Sequence, residues 1–92
     1  MQCNLYATFR LLANTRSLEI DLPAGSSVRQ AIDTIIARVP AIAPHWLDAE
    51  GELHAHVHVF VNGDDVQTLP DGLQTRLDAQ AVLDFFPPVA GG

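Results

Sequence analysis

The sequence predicts an α+β domain in two layers, a mixed sheet of four to five strands with one main helix packed across one face. Three observations predict it. Apolar and polar residues alternate with period two over residues 3–9, 18–22, 53–61 and 82–86. One strongly amphipathic helical stretch separates the second of these runs from the third. The length, 92 residues, allows one hydrophobic core.

Cys3, Leu5, Ala7 and Phe9 alternate with Asn4, Tyr6, Thr8 and Arg10, the pattern of a half-buried first strand. Residues 11–16 then read as a connection. Leu18, Ile20 and Leu22 alternate with Ser17, Glu19 and Asp21, and closeness in sequence predicts an antiparallel hairpin with the first run. Pro23, Gly25 and Ser26 break the strand.

Ser27 followed by Gln30 fits a capping box, in which each side chain satisfies the other residue's orphan N–H. Val28, Ala31, Ile32, Ile35, Ile36 and Val39 recur at helical spacing, and Pro40 stops the helix. Its β-branched residues propagate a helix only modestly, so packing must hold it. Residues 41–47 read as an irregular or 3₁₀ segment packing Ile42, Trp46 or Leu47 on the core, and 48–52 as an exposed acidic turn.

Leu53, Ala55, Val57, Val59 and Val61 alternate with His54, His56, His58 and Phe60 as a third strand. Asn62-Gly63 is a strong hairpin signal because both positions tolerate positive φ, and residues 64–69 read as the return strand. Pro70-Asp71-Gly72 makes a further turn, with Leu73 and Leu77 dropping into the core. In the last strand Leu83 and Phe85 face one way and Val82, Asp84 and Phe86 the other. Pro87-Pro88 ends it, since proline cannot donate to a ladder. The order is ββαββ-β, with the first and last strands side by side in parallel. Residues 1–86 form the domain and 87–92 a flexible tail ending in Gly-Gly.

Composition narrows the function. Five arginines, no lysine and eleven Asp+Glu give a net charge of −6, with no basic cluster for nucleic acid or an anionic membrane. A negative surface steers toward a basic protein partner. The single cysteine, Cys3, excludes an internal disulfide or a Cys-ligated cluster, and its phase makes it a small core side chain. No apolar run reaches about 18 residues, and no secretory signal is visible, so a cytoplasmic domain is expected. Three same-face histidines, His54, His56 and His58, would offer a neighbouring pair to zinc with no third ligand evident, so no metal is expected.

The tail carries the chemistry. A Gly frequency near 7% puts a terminal Gly-Gly in about one chain in 200 by chance, so the pair alone is weak. Here it follows a core strand directly. Gly91 and Gly92 lack Cβ atoms and thread a narrow channel at no steric cost, and residues 87–92 reach roughly 20 Å extended. The Gly92 α-carboxylate is inert until activated. Adenylation by ATP would give a mixed anhydride, from which sulfide or a persulfide could displace AMP and leave a thiocarboxylate. No nucleophile–base pair is evident, so the activation chemistry belongs to a partner.

The order ββαββ-β with terminal Gly-Gly resembles the ubiquitin-like β-grasp fold. The end, Phe85-Phe86-Pro87-Pro88-Val89-Ala90-Gly91-Gly92, resembles the terminus of MoaD, the small subunit of molybdopterin synthase. Residues 57–66, followed by 72–77, are similar to the wider MoaD/ThiS sulfur-carrier family. The long spacer 41–53 looks most like its cysteine-pathway carriers. The resemblance implies a carrier and not an enzyme, binding no cofactor itself. Gly92 accepts AMP and then sulfur from an ATP-using, ubiquitin-activating-type enzyme. A sulfur-accepting enzyme or synthase large subunit then receives the sulfur.

Two alternatives stand beside it. One is a ubiquitin-like modifier joined through Gly92 to target lysines; lacking lysine, the chain cannot form lysine-linked chains with itself. The other is a plain β-grasp binding module. If the last strand lies between the first and third, Tyr6, Phe60 and Phe86 meet on the face away from the helix. With Pro87 and Pro88 they are the expected partner-binding residues, and Val89 and Ala90 the tail that leads to the reactive end.

Overall fold

The computed structural model describes residues 1–88. A five-stranded sheet is ordered β2-β1-β5-β3-β4, from β1 (Gln2–Leu5), β2 (Ser17–Glu19), β3 (His58–Val61), β4 (Asp64–Asp65) and β5 (Val82–Phe86). β1 and β2 form the expected antiparallel hairpin, and β5 lies between β1 (parallel) and β3 (antiparallel). The main helix α2 (Val28–Arg38) covers one face, burying Val28, Ala31, Ile32 and Ile35. Its capping box forms as expected: the Gln30 N–H donates to Ser27 Oγ at 3.1 Å and the Ser27 N–H to Gln30 Oε1 at 2.7 Å. This is the ubiquitin-like β-grasp arrangement.

Four local expectations are corrected; the smallest is that β2 ends at Glu19 and does not run on to Leu22. The first strand stops at Leu5 instead of running to Phe9, and a short helix α1 (Thr8–Ala13) replaces its end and most of the expected connection. Ala7 turns the chain at φ 51°, and Asn14 closes α1 at φ 55°. Phe9, Leu12 and Ala13 recur at i, i+3 and i+4, so a helix buries them as well as a strand buries alternate residues.

The third strand is only His58–Val61, with a turn over 55–56. The three histidines therefore do not line one strand face. His54 and His56 instead stack with ring centroids 4.6 Å apart. The return strand is only Asp64–Asp65. There the Asp65 side chain accepts the Gln67 N–H and starts a 3₁₀ turn over Val66–Thr68 that buries Val66.

Between helix and sheet, Val28, Ile32, Ile35, Val59, Leu83 and Phe85 are fully buried, as their phases predict, with Cys3 beside them. Segment 41–47 packs Ile42 and Trp46, as expected; it is a 3₁₀ turn Pro40–Ile42 followed by a short helix α3 (Ala43–Trp46). Trp46 stacks on Phe85 at 4.6 Å and meets the edge of Phe9 at 5.5 Å. This aromatic stack anchors the end of β5, from which the tail departs. Arg29 pairs with Asp33 within α2 at 3.0 Å and ties the helix to the acidic turn through Gly51 O at 2.7 Å and Glu52 at 3.6 Å. No described helix is long and apolar enough to cross a membrane.

Candidate functional site

The central position of β5 determines what its side chains can do. Leu83 and Phe85 point into the core, so Val82, Asp84 and Phe86 emerge on the open face. Register then builds two rows across that face. Asn4, Asp84, Phe60 and Asp65 form one, across β1, β5, β3 and β4. Tyr6, Phe86 and His58 form the other.

The three aromatics expected to meet do meet. Tyr6 and Phe86 stack with centroids 4.1 Å apart, and Phe60 stands edge-on to Phe86 at 5.5 Å. Tyr6 is 38% exposed, whereas Phe60 and Phe86 are half-buried, Phe86 more covered than its phase alone suggested. The cover is the neighbouring rings, not the helix.

Pro87 and Pro88 carry the chain off the sheet. They border a groove of about 550 Å³ together with Tyr6, Phe9, His45 and His56. On the other side of the same root, His58, Phe60, Phe86 and Pro87 line an apolar hollow of about 300 Å³. The tail thus leaves the fold between two apolar recesses. Val89, Ala90, Gly91 and Gly92, the expected reactive end and its approach, lie outside the described residues.

Polar chemistry on the face centres on Asp84. Its Oδ1 accepts from Tyr6 OH at 2.9 Å and from Asn4 Nδ2 at 2.9 Å. The hydrogen bond to Asp84 is the main reason the Tyr6 phenol is held above its usual pKa of 10.0, with burial and the Asp84 charge adding to it. Burial pushes the Cys3 thiol up to about 12, outweighing the opposing pull of the N-terminal ammonium, so at neutral pH it stays a buried, protonated thiol. Asp48 is held low chiefly by the backbone N–H of Glu52, then that of Glu50, and shapes the acidic turn. Among the described residues no three His, Cys, Asp or Glu side chains gather as a metal site.

Sequence reasoning missed two parts of this site. Asp84 as acceptor for Tyr6 and Asn4 depends on the register of β1 on β5, which the outward phases and the expected parallel pairing do not set. The entry of Phe9, His45 and His56 into the groove had no local signal, because it depends on where α1 and α3 pack.

The ThiS family model matches residues 3–92. Small archaeal modifier protein 3 of Haloferax volcanii is 32% identical over 92 residues, covering 100% of this chain and 98% of its own. Small archaeal modifier protein 1 of the same organism is 29% identical over the full length of both chains. Its crystal structure superposes with a TM-score of 0.90, covering 100% of this chain and 98% of its own. The crystal structure of the Amycolatopsis orientalis BexX/CysO complex contains a chain 28% identical, with TM-score 0.80, covering 99% of this chain and 98% of its own.

Proposed function

The chain belongs to the ThiS family, and we propose that it is a carrier whose Gly92 α-carboxylate is activated by a partner enzyme and then loaded with sulfur. The observation that carries this reading is the match of the family model through residues 91–92, on a fold whose last strand is central and ends at Phe86, with Pro87 and Pro88 following it off the sheet. The carboxylate attacks the α-phosphorus of ATP and pyrophosphate leaves. The resulting acyl adenylate is attacked by sulfide, AMP departs, and the terminal carbon keeps one oxygen and gains one sulfur. The ATP is bound by the activating enzyme, and this dependence on ATP is why the cytoplasm is the proposed compartment. The chain supplies reach, a tail root set between two recesses, and an aromatic face for docking. Proposed acceptors of the sulfur are the enzymes of molybdopterin or cysteine biosynthesis.

Full-length similarity to two small archaeal modifier proteins supports a second reading with the same first step. There a target lysine amine displaces AMP, loses a proton and forms an isopeptide bond. Intact mass after incubation with ATP, an activating enzyme and a sulfur donor separates the two. Gain of one sulfur for one oxygen supports the carrier. A ladder of conjugates with added protein supports the modifier. An unchanged mass with no conjugates contradicts both.

A further inference from the structure

The open face carries a carboxylate between aromatic rings. Asp84 is half-buried, with Phe60 directly opposite on β3 and Phe86 two residues along its own strand. Its Oδ1 already accepts two hydrogen bonds, from Asn4 and Tyr6. Among the described residues nothing donates to Oδ2, and no cation lies within 4 Å of the carboxylate. Arg29, Arg38 and Arg76 are engaged elsewhere, on Asp33 and Glu52, Glu19 O and Gly25 O. Arg10 and Arg16 border a hollow shared with Asn4 and Tyr6, the two donors to Asp84, yet among the described residues neither makes an ion pair. Phe60 is also flanked on its far side by Asp65.

We infer that this face docks a partner protein through an arginine that pairs with Asp84 Oδ2 and lies against the Phe60 ring, with apolar neighbours of that arginine covering Tyr6 and the exposed edge of Phe86. A guanidinium meets both requirements. It is planar, weakly hydrated and rich in donors, and it stacks on aromatic faces while binding a carboxylate. An ammonium is more strongly hydrated and a worse fit to the rings. A second copy is disfavoured, because two such faces would set Asp84 against Asp84 in a chain of net charge −6. The inference rests on the proposed reading that this face meets a partner, and adds which partner group it selects.

The test uses the full ¹⁵N-labelled chain and three blocked tripeptides, Leu-Arg-Phe and the same peptide with glutamine or glutamate at its centre. The arginine peptide is expected to shift the amides of Tyr6, Phe60, Asp84 and Phe86. Asp84→Asn keeps an acceptor for Asn4 and Tyr6, and should weaken that peptide about fivefold, the scale of one partly exposed charge pair. The glutamine peptide should bind both forms equally and at the weaker level, and the glutamate peptide more weakly still. Arginine and glutamine peptides of equal affinity, no change on Asp84→Asn, shifts centred on the acidic turn 48–52, or no shift from any peptide would each overturn the inference. No activating enzyme is needed, so failure here is distinct from failure of Gly92 activation. A chain active in pyrophosphate exchange that ignores the arginine peptide removes only the arginine site.

Discussion

The ring of Tyr6 lies flat on that of Phe86, centroids 4.1 Å apart with 11° between the planes, so the last residue of β5 is clamped to the residue just beyond β1. The parallel pairing of β1 with β5 makes this possible, and Tyr6 N donates to Phe85 O at 3.2 Å to continue it. The clamp holds the root of the tail, and Asp84 locks the far end of the Tyr6 ring.

Tyr6 is the only tyrosine, so tyrosinate absorbance reports it alone. It should titrate above the ordinary 10.0, and Asp84→Asn should lower its pKa toward that value. A raised acid stabilises the fold below the unfolded-state pKa and loses that contribution as pH climbs through the folded one. The Tyr6–Asp84 contribution is therefore complete at neutral pH and disappears only above pH 10.0. An ordinary midpoint in the wild type would mean that the hydrogen bond does not persist in solution.

Phe86→Asp tests the docking face. It removes stacked and edge-on ring pairs worth about 0.5–1.5 kcal/mol each, so melting should fall by several degrees without loss of the fold. The KM for the chain in ATP–pyrophosphate exchange should rise about tenfold or more, as expected for loss of an aromatic anchor. An unfolded variant would place Phe86 in the core, and unchanged exchange would remove the face from docking.

Phe85→Ala, one residue earlier, should behave oppositely. Phe85 is fully buried and stacked on Trp46, so the substitution should cost about 3–5 kcal/mol. Small domains hold only about 5–15 kcal/mol in total, so urea unfolding should show a variant at the edge of stability. Wild-type stability would mean that the strand's faces are reversed.

Cys3 should resist a thiol reagent at neutral pH until urea opens the protein, because it is fully buried and its thiol titrates near 12. The same shift makes stability fall as pH rises from 9.0 toward 12, where the unfolded chain loses a proton that the folded one keeps. Rapid labelling of the folded protein would contradict the sealed environment.

The α2 helix, its capping box and the Asn62-Gly63 hairpin were legible because each is written in neighbouring residues. The Tyr6–Phe60–Phe86 cluster was legible from strand phases plus one topological expectation, the central last strand. Helix α1 was not, because Phe9 satisfies period two and period 3.6 equally in so short a stretch. The histidine run misled for a related reason: alternation extends from Leu53 to Val61, but the chain pairs as a strand only from His58. Pairing of Asp84 with Tyr6 and Asn4 needs the register of β1 on β5, which alternation alone does not set.

The most direct test is ATP–pyrophosphate exchange by an activating enzyme with a chain lacking Gly92, beside a melting curve. The deletion shortens the reach beyond Pro88 by roughly 3.5 Å, as large as the whole near-attack separation of about 3–3.5 Å. The account predicts wild-type melting, since the core ends with β5, together with loss of exchange and of any thiocarboxylate or conjugate. Normal exchange by the shortened chain would contradict the assignment of Gly92 as the activated position.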